Sequence, residues 1–206
     1  ATCVGDSGIS TYKKSRQGNA EIDQTVIDVL KNSGDDYKIM DYEPIGSDER
    51  QFCSPGFNLP VGLLLRTHPY YFTEYHTSAD NTEFVKAKYL ADSFSKYFKV
   101  IFKLEENFGK FYSKNNEEEL LEIDSKNDQV FLNLKPKCEP KLDKTGMYRK
   151  IGGKNNNDAL TILWVLNYSD GKHSLRDITL RSGIDFKQIK QTAELLHEKK
   201  LLKRIL

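Results

Sequence analysis

Apolar residues recur along this chain in two rhythms, short runs and helical stripes, and their alternation predicts an α/β fold. Ala1 to Gly5 reads as a strand that closes on the turn Gly5-Asp6-Ser7-Gly8. Ser10 to Gly18 is polar and basic and reads as a loop. From Glu21 onward Ile22, Val26, Val29 and Leu30 fall at helical spacing, and Gly34 marks the stop. Tyr37 to Met40 reads as a short strand, and Val61 to Leu65 as an apolar run of buried-strand type. Between them lies a long irregular stretch, Glu43 to Pro60. A loop of that length is functional or disordered, and Phe52, Phe57, Leu59 and Pro60 argue for order. A helix of about 20 residues is expected from Thr82, with Phe84, Ala87, Leu90, Phe94, Phe98, Ile101 and Phe102 along its apolar face. Ser78 or Asp80 is placed to cap it.

The acid-rich stretch 107–128 reads as a surface excursion, and Val130 to Leu134 as a strand. Lys135 to Lys144, with Pro136 and Pro140, reads as a linker. Beyond it the balance of charge changes: 12 Lys and Arg stand against 6 Asp and Glu, so this tail is basic and the rest acidic. Ala159 to Tyr168 is helical, Ser174 caps a second helix that stops at Gly183, Asp185 caps a third, and Leu201 to Leu206 closes as a strand. Three short helices and a strand read as a winged-helix module. The expected partition is therefore residues 1–134 as an α/β domain, 135–144 as linker and 145–206 as a winged-helix-like domain.

Composition narrows the function classes. A net charge of +1 with 30% charged residues argues against strong global attraction to nucleic acid or membrane. No apolar run reaches the roughly 18 residues of a membrane span, and no basic-then-apolar leader opens the chain. Cys3, Cys53 and Cys138 are widely spaced and odd in number, which suits reduced thiols and a cytoplasmic setting. A buried strand rarely begins a domain unprotected, so the chain reads as the C-terminal part of a longer protein.

Two segments concentrate chemistry. Glu74-Tyr75-His76-Thr77-Ser78-Ala79-Asp80-Asn81 places a histidine between an aromatic ring and a run of capping residues. Gly46-Ser47-Asp48-Glu49-Arg50-Gln51 gathers three ionisable groups in a turn. By itself His76 also reads as a helix-entry residue bonded to backbone, Asp6 as a turn residue, and Asp48, Glu49 and Arg50 as a structural ion-pair and capping network. His68, His173 and His197 read as ordinary surface or interface residues.

These two segments, with Ser54-Pro55-Gly56-Phe57-Asn58-Leu59-Pro60, resemble a family of zinc aminopeptidase-like proteins related to bacterial leucyl aminopeptidases and glutamate carboxypeptidase. Leu163-Trp164-Val165-Leu166-Asn167 and Ser169-Asp170-Gly171 resemble the winged-helix tail that such proteins carry. The resemblance implies a partial mixed-sheet zinc-aminopeptidase-like sandwich followed by a small winged-helix domain. It further implies two zinc ions in the full-length protein, with Asp6 and His76 as ligands, Tyr75 as donor to the oxyanion, and Asp48, Glu49 and Arg50 against the substrate. The early His, the bridging Asp and the general base have no counterpart in these 206 residues. The implied activity is hydrolysis of a peptide or amide bond by the longer protein, with the isolated chain inactive. The implied partners are a small peptide or amide substrate, the N-terminal half of the same protein, and a second copy through the winged helix. The alternative is a non-catalytic α/β scaffold whose winged helix binds nucleic acid or a partner protein. Scarce base-reading side chains on the third helix weigh against DNA.

Overall fold

A computed structural model of the chain describes residues 2–107, 128–142 and 156–205. They belong to two compact units, Ala1–Tyr42 with Pro60–Glu117, and Glu43–Leu59 with Glu118–Leu206.

The first unit is built on a mixed three-stranded sheet. Strand β1 (Ser10–Lys13) lies at its centre, parallel to β2 (Tyr37–Met40) on one side and antiparallel to β3 (Leu63–Leu65) on the other. The register pairs Thr11 with Lys38 and with Leu65. β2 and β3 fall where the apolar pattern places them, but β1 does not. It occupies the stretch that reads as a basic loop, while residues 2–5 are not a strand at all. Cys3 takes a left-handed φ of 50°, which interrupts an extended run. The segment is instead held by single bonds: the Cys3 carbonyl accepts from Arg66 N (2.8 Å), that of Val4 from Ser93 Oγ (2.8 Å), and that of Gly5 from Lys86 N (2.9 Å).

β1 reads Ser-Thr-Tyr-Lys, yet all four residues are buried. Burying polar groups is tolerated only when each finds a partner. Ser10 Oγ accepts from Lys96 Nζ at 3.0 Å, Tyr12 donates to Asp23 at 2.8 Å, and the Lys13 ammonium lies 6.0 Å above the Tyr42 ring. Helix α1 (Glu21–Lys31) packs on β1 and β2 and alongside helix α3 (Ala87–Asn107). Its Val26, Val29 and Leu30 join Tyr12, Leu64 and Val100 in the core.

Helix α3 (Ala87–Asn107) begins five residues later than the apolar pattern suggests. Neither Ser78 nor Asp80 caps it, because residues 74–85 form successive turns closed by Thr77 and Asn81 side chains. Its burial is also turned from the expected stripe. Ser93, Lys96 and Val100 face inward, whereas Phe94, Phe98, Ile101 and Phe102 are exposed, with Phe94 stacked on Phe98 and Phe98 edge-on to Phe102. Phe98→Ser is accordingly expected to move the urea midpoint little, within about 0.5 kcal/mol of the parent, as for a surface position. A core position would show a loss several times larger.

In the second unit, β4 (Val130–Asn133) is the central strand of an antiparallel sheet, flanked by β5 (Asp170–Ser174) and β6 (Leu202–Arg204). Helices α4 (Asn156–Tyr168), α5 (Leu175–Ser182) and α6 (Phe186–Glu198) pack on one another, burying Ile162, Val165, Ile178, Ile189 and Leu196. Ser174 and Asp177 cap α5 reciprocally, and the Asp185 carboxylate accepts from Lys187 N and Gln188 N at the head of α6. β5, Asp-Gly-Lys-His-Ser, is too short and polar for the apolar pattern to show. Residues 135–142, expected as linker, are tied to the 43–59 segment. Gly56 N donates to Pro136 O (2.8 Å), Cys138 N to Ser54 Oγ (3.0 Å), and Glu139 N to Gln51 Oε1 (2.8 Å). The acid-rich stretch 107–128 lies almost wholly outside the described residues.

Candidate functional site

A hydrogen-bonded turn in the first unit is built around Asp6. Asp6 is buried, and its Oδ1 accepts from Gly8 N at 2.8 Å and from the Thr67 hydroxyl at 2.5 Å. Oδ2 receives a longer bond, 3.3 Å, from Thr67 N. Gly8 is required at this corner. A Cβ there would stand 2.0 Å from Thr67 Oγ1 and 2.8 Å from Asp6 Oδ1, so any side chain would drive the hydroxyl off the carboxylate.

The chain just past the 74–81 segment docks beside the same turn, where Lys86 N donates to the Gly5 carbonyl at 2.9 Å. Burial pushes the Cys3 thiol up from its usual range, the Thr2 hydroxyl draws it partly back, and the charges of Asp6 and Asp80 push it up again. His76 sits in the left-handed region, at a φ of 59°, which is uncommon for a residue with a Cβ. Its exposed imidazole stacks on Tyr75 with ring centroids 3.9 Å apart.

Asp48, Glu49 and Arg50 lie in the other unit. Glu49 begins the single-turn helix α2 (Glu49–Phe52), is buried, and accepts from Ser47 N at 3.1 Å. The Arg50 guanidinium pairs with Glu139 in the same unit. Asp48 precedes the helix without a capping bond from its side chain.

Four residues that the apolar pattern passes over, Arg66, Asp92, Lys96 and Asp35, also shape the first unit. Arg66 donates from Nη1 to Asp92 at 2.5 Å, and Lys96 reaches Asp92 at 2.8 Å and Asp35 at 2.9 Å. Burial raises the Asp92 carboxyl, but its bonds to Lys96 and Arg66 and their charges outweigh that, leaving it below its ordinary range. The available signal was position: Arg66 and Thr67 follow directly on the apolar run that became β3, where loops carry polar function. Two of the histidines read as surface residues are buried, and His173 lies within 2.9 Å of the Asp170 carboxylate.

Asp6 and His76 offer the oxygen and nitrogen donors that zinc takes, but a zinc site needs at least three protein ligands. Among the described residues, no three His, Cys, Asp or Glu side chains come together as a metal-holding group. The described residues of this chain do not by themselves make such a site. No described helix is long and apolar enough to cross a membrane.

The architecture is thus that of a mixed α/β unit joined to a winged helix-turn-helix, whose family model matches residues 129–204. Residues 1–107 match the family described as a domain of unknown function, DUF4910, and the chain belongs to that family. It is 46% identical, over 207 aligned residues, to a Clostridium acetobutylicum protein named "Putative polysaccharide biosynthesis protein with aminopeptidase-like domain". That alignment covers 100% of this chain and 43% of the relative. A crystal structure titled as a "putative peptidase" from Clostridium acetobutylicum shares 43% identity over 99% of this chain and 40% of its own, with a TM-score of 0.49. The chain spans under half the length of either relative.

Proposed function

We propose that this chain forms part of a peptidase-like hydrolase that cleaves a peptide or amide bond in the longer protein. The observation that carries the reading is the approach of two distant segments. The buried, hydrogen-bonded Asp6 follows Gly5, whose carbonyl accepts from Lys86 N at 2.9 Å, five residues beyond the Tyr75–Asn81 loop. The naming of the 46% identical relative as aminopeptidase-like supports the same class.

In this reading Asp6 and His76 supply two donors of a zinc centre, and further ligands come from polypeptide outside this chain. Bound zinc would polarise the scissile carbonyl and activate water. The chain's own residues serve placement. Thr67 and the Gly8 amide fix one oxygen of Asp6 and leave the other lightly bonded, and the Tyr75 ring holds the imidazole of His76 against a strained turn. The phenol of Tyr75 donates to the developing oxyanion. Asp48, Glu49 and Arg50 belong to the second unit and contribute to substrate recognition there.

The test uses this sequence extended to the length of the Clostridium relative. That protein is expected to release 4-nitroaniline from aminoacyl anilides and to hold about two zinc ions per chain. His76→Ala or Asp6→Asn is expected to cut turnover by about a hundredfold and to lower the zinc content. An extended protein that is folded, free of metal and inactive rejects the hydrolase.

A further inference from the structure

Two cavities open on either side of Arg66 in the first unit. One, of about 380 Å³, is lined by Lys88, Lys96 and Arg66 but also by Asp35, Asp36 and Asp92. Its charges are satisfied among themselves, since Lys96 and Arg66 both pair with Asp92. The other, of about 240 Å³, has a different character. Lys38 and Arg66 bring two cations to it, His68 and Tyr71 add polar groups, and among the described residues no carboxylate lines it. Ile9 and Met40 give it apolar walls.

The sheet explains why these cations share one cavity. Lys38 on β2 pairs with Thr11 on β1, and Thr11 pairs with Leu65 on β3, directly before Arg66. Lys38, Thr11 and Leu65 therefore form one row across three strands, Arg66 follows just past the end of β3, and Lys38, Thr11 and Arg66 all line the cavity. The Lys38 ammonium lies 5.4 Å over the Tyr71 ring, and the His68 ring stands 5.5 Å from that of Tyr71.

Arg66 adds a second observation. Asp92 occupies Nη1, and the Tyr89 ring lies 4.8 Å from the guanidinium carbon. Nε is buried and has no hydrogen-bond partner among the described residues. A guanidinium presents Nε–H and Nη2–H as a parallel pair, the edge that receives a carboxylate in bidentate fashion. A buried donor without an acceptor is rare enough in folded proteins to ask for an explanation.

We propose that this cavity binds an organic carboxylate. The Arg66 edge and the Lys38 ammonium hold its anionic head, and its apolar or aromatic body lies against Ile9, Met40 and Tyr71. The apolar walls favour an organic acid over inorganic phosphate, which backbone amides at a helix start or glycine turn hold best. The assignment does not rest on the hydrolase reading, because the cavity is complete within this chain's described residues and its test requires no turnover.

The experiment titrates the 206-residue chain with benzoate, benzamide and phosphate while following amide shifts by NMR. Benzoate is expected to produce saturable shifts around Lys38, Arg66 and Tyr71, binding at least about tenfold more tightly than neutral benzamide. Arg66→Lys keeps the charge, removes the fork and is expected to weaken benzoate at least about fivefold. Lys38→Glu, on an exposed edge position that leaves folding intact, is expected to weaken it about tenfold or more. Should Arg66→Lys fail to fold, Lys38→Glu and the benzamide comparison decide alone. Equal binding of benzamide, tighter binding of phosphate, unchanged affinity in Lys38→Glu, or no saturation by about 50 mM benzoate overturns the assignment.

Discussion

Replacing Asp23 by alanine is expected to cost the first unit about 3–5 kcal/mol, a large share of the 5–15 kcal/mol that separates folded from unfolded domains. Asp23 is fully buried at the start of α1. Its Oδ1 accepts from the Tyr12 hydroxyl (2.8 Å) and Ser15 N (2.7 Å), and its Oδ2 from Ser15 Oγ (2.6 Å) and Ala20 N (3.0 Å). One carboxylate thus joins the central strand, the loop after it and the head of the helix. Truncation takes this acceptor away from four buried donors, at about 1–3 kcal/mol each before other contacts, relaxation or entering water offset part of the loss. The gain in helix propensity from Asp to Ala, under about 0.7 kcal/mol, is too small to compensate. Asp23→Asn retains one acceptor oxygen but turns an amino group toward donors, so an intermediate loss is expected. Urea denaturation of the first unit checks both variants. A loss below about 1 kcal/mol for Asp23→Ala would show that the carboxylate is not the joint described here.

Lys96→Met is expected to cost about 2–3 kcal/mol and to alter the acid sensitivity of the unit. The ammonium is 4% exposed and donates to Ser10 Oγ while pairing with Asp92 and Asp35. Removing one member of a buried pair typically costs about 3–5 kcal/mol, but Asp92 and Asp35 are 33% and 58% exposed and water takes over part of the interaction. The sign of the pH effect follows from Asp92, whose folded pKa lies below its ordinary 3.8. A depressed carboxylate contributes stability above its unfolded pKa and loses it as the pH falls through the folded value. The parent is therefore expected to lose stability below about pH 4 in part through Asp92. In Lys96→Met the largest lowering influence is gone, and this part of the acid loss should shrink. Unfolding free energies measured from neutral pH down to about pH 3 check it. An unchanged acid slope in the variant contradicts the assignment.

Periodicity served well wherever burial is bought by hydrocarbon. α1, β2, β3, α5 and α6 stand close to where Ile, Val and Leu recur, because apolar side chains leave water regardless of what else the fold contains. The same logic identified α3 as a helix but not the face it buries. Phe94 and Phe98 carry the larger hydrophobicity, yet Ser93 and Lys96 face inward because Val4 O, Ser10 and Asp92 are there to receive them. β1 was missed for the same reason: Ser10, Tyr12 and Lys13 are buried against partners elsewhere in the chain, and pairing leaves no periodic trace.

For the candidate site, the residue types and the turn at Asp6 were legible, and so was the winged-helix tail from its caps at Ser174 and Asp185. The placement of Asp48–Arg50 and the 43–59 segment with the second unit was not, since it depends on hydrogen bonds to 136–139. The cavity beside Arg66 was equally hidden, because Lys38 and Arg66 become neighbours only through strand register. Composition and local pattern determined which segments fold and which side chains can ionise. The tertiary structure alone decided which charges meet, because a charge is stable in the interior only beside a partner that chain folding, not sequence spacing, delivers.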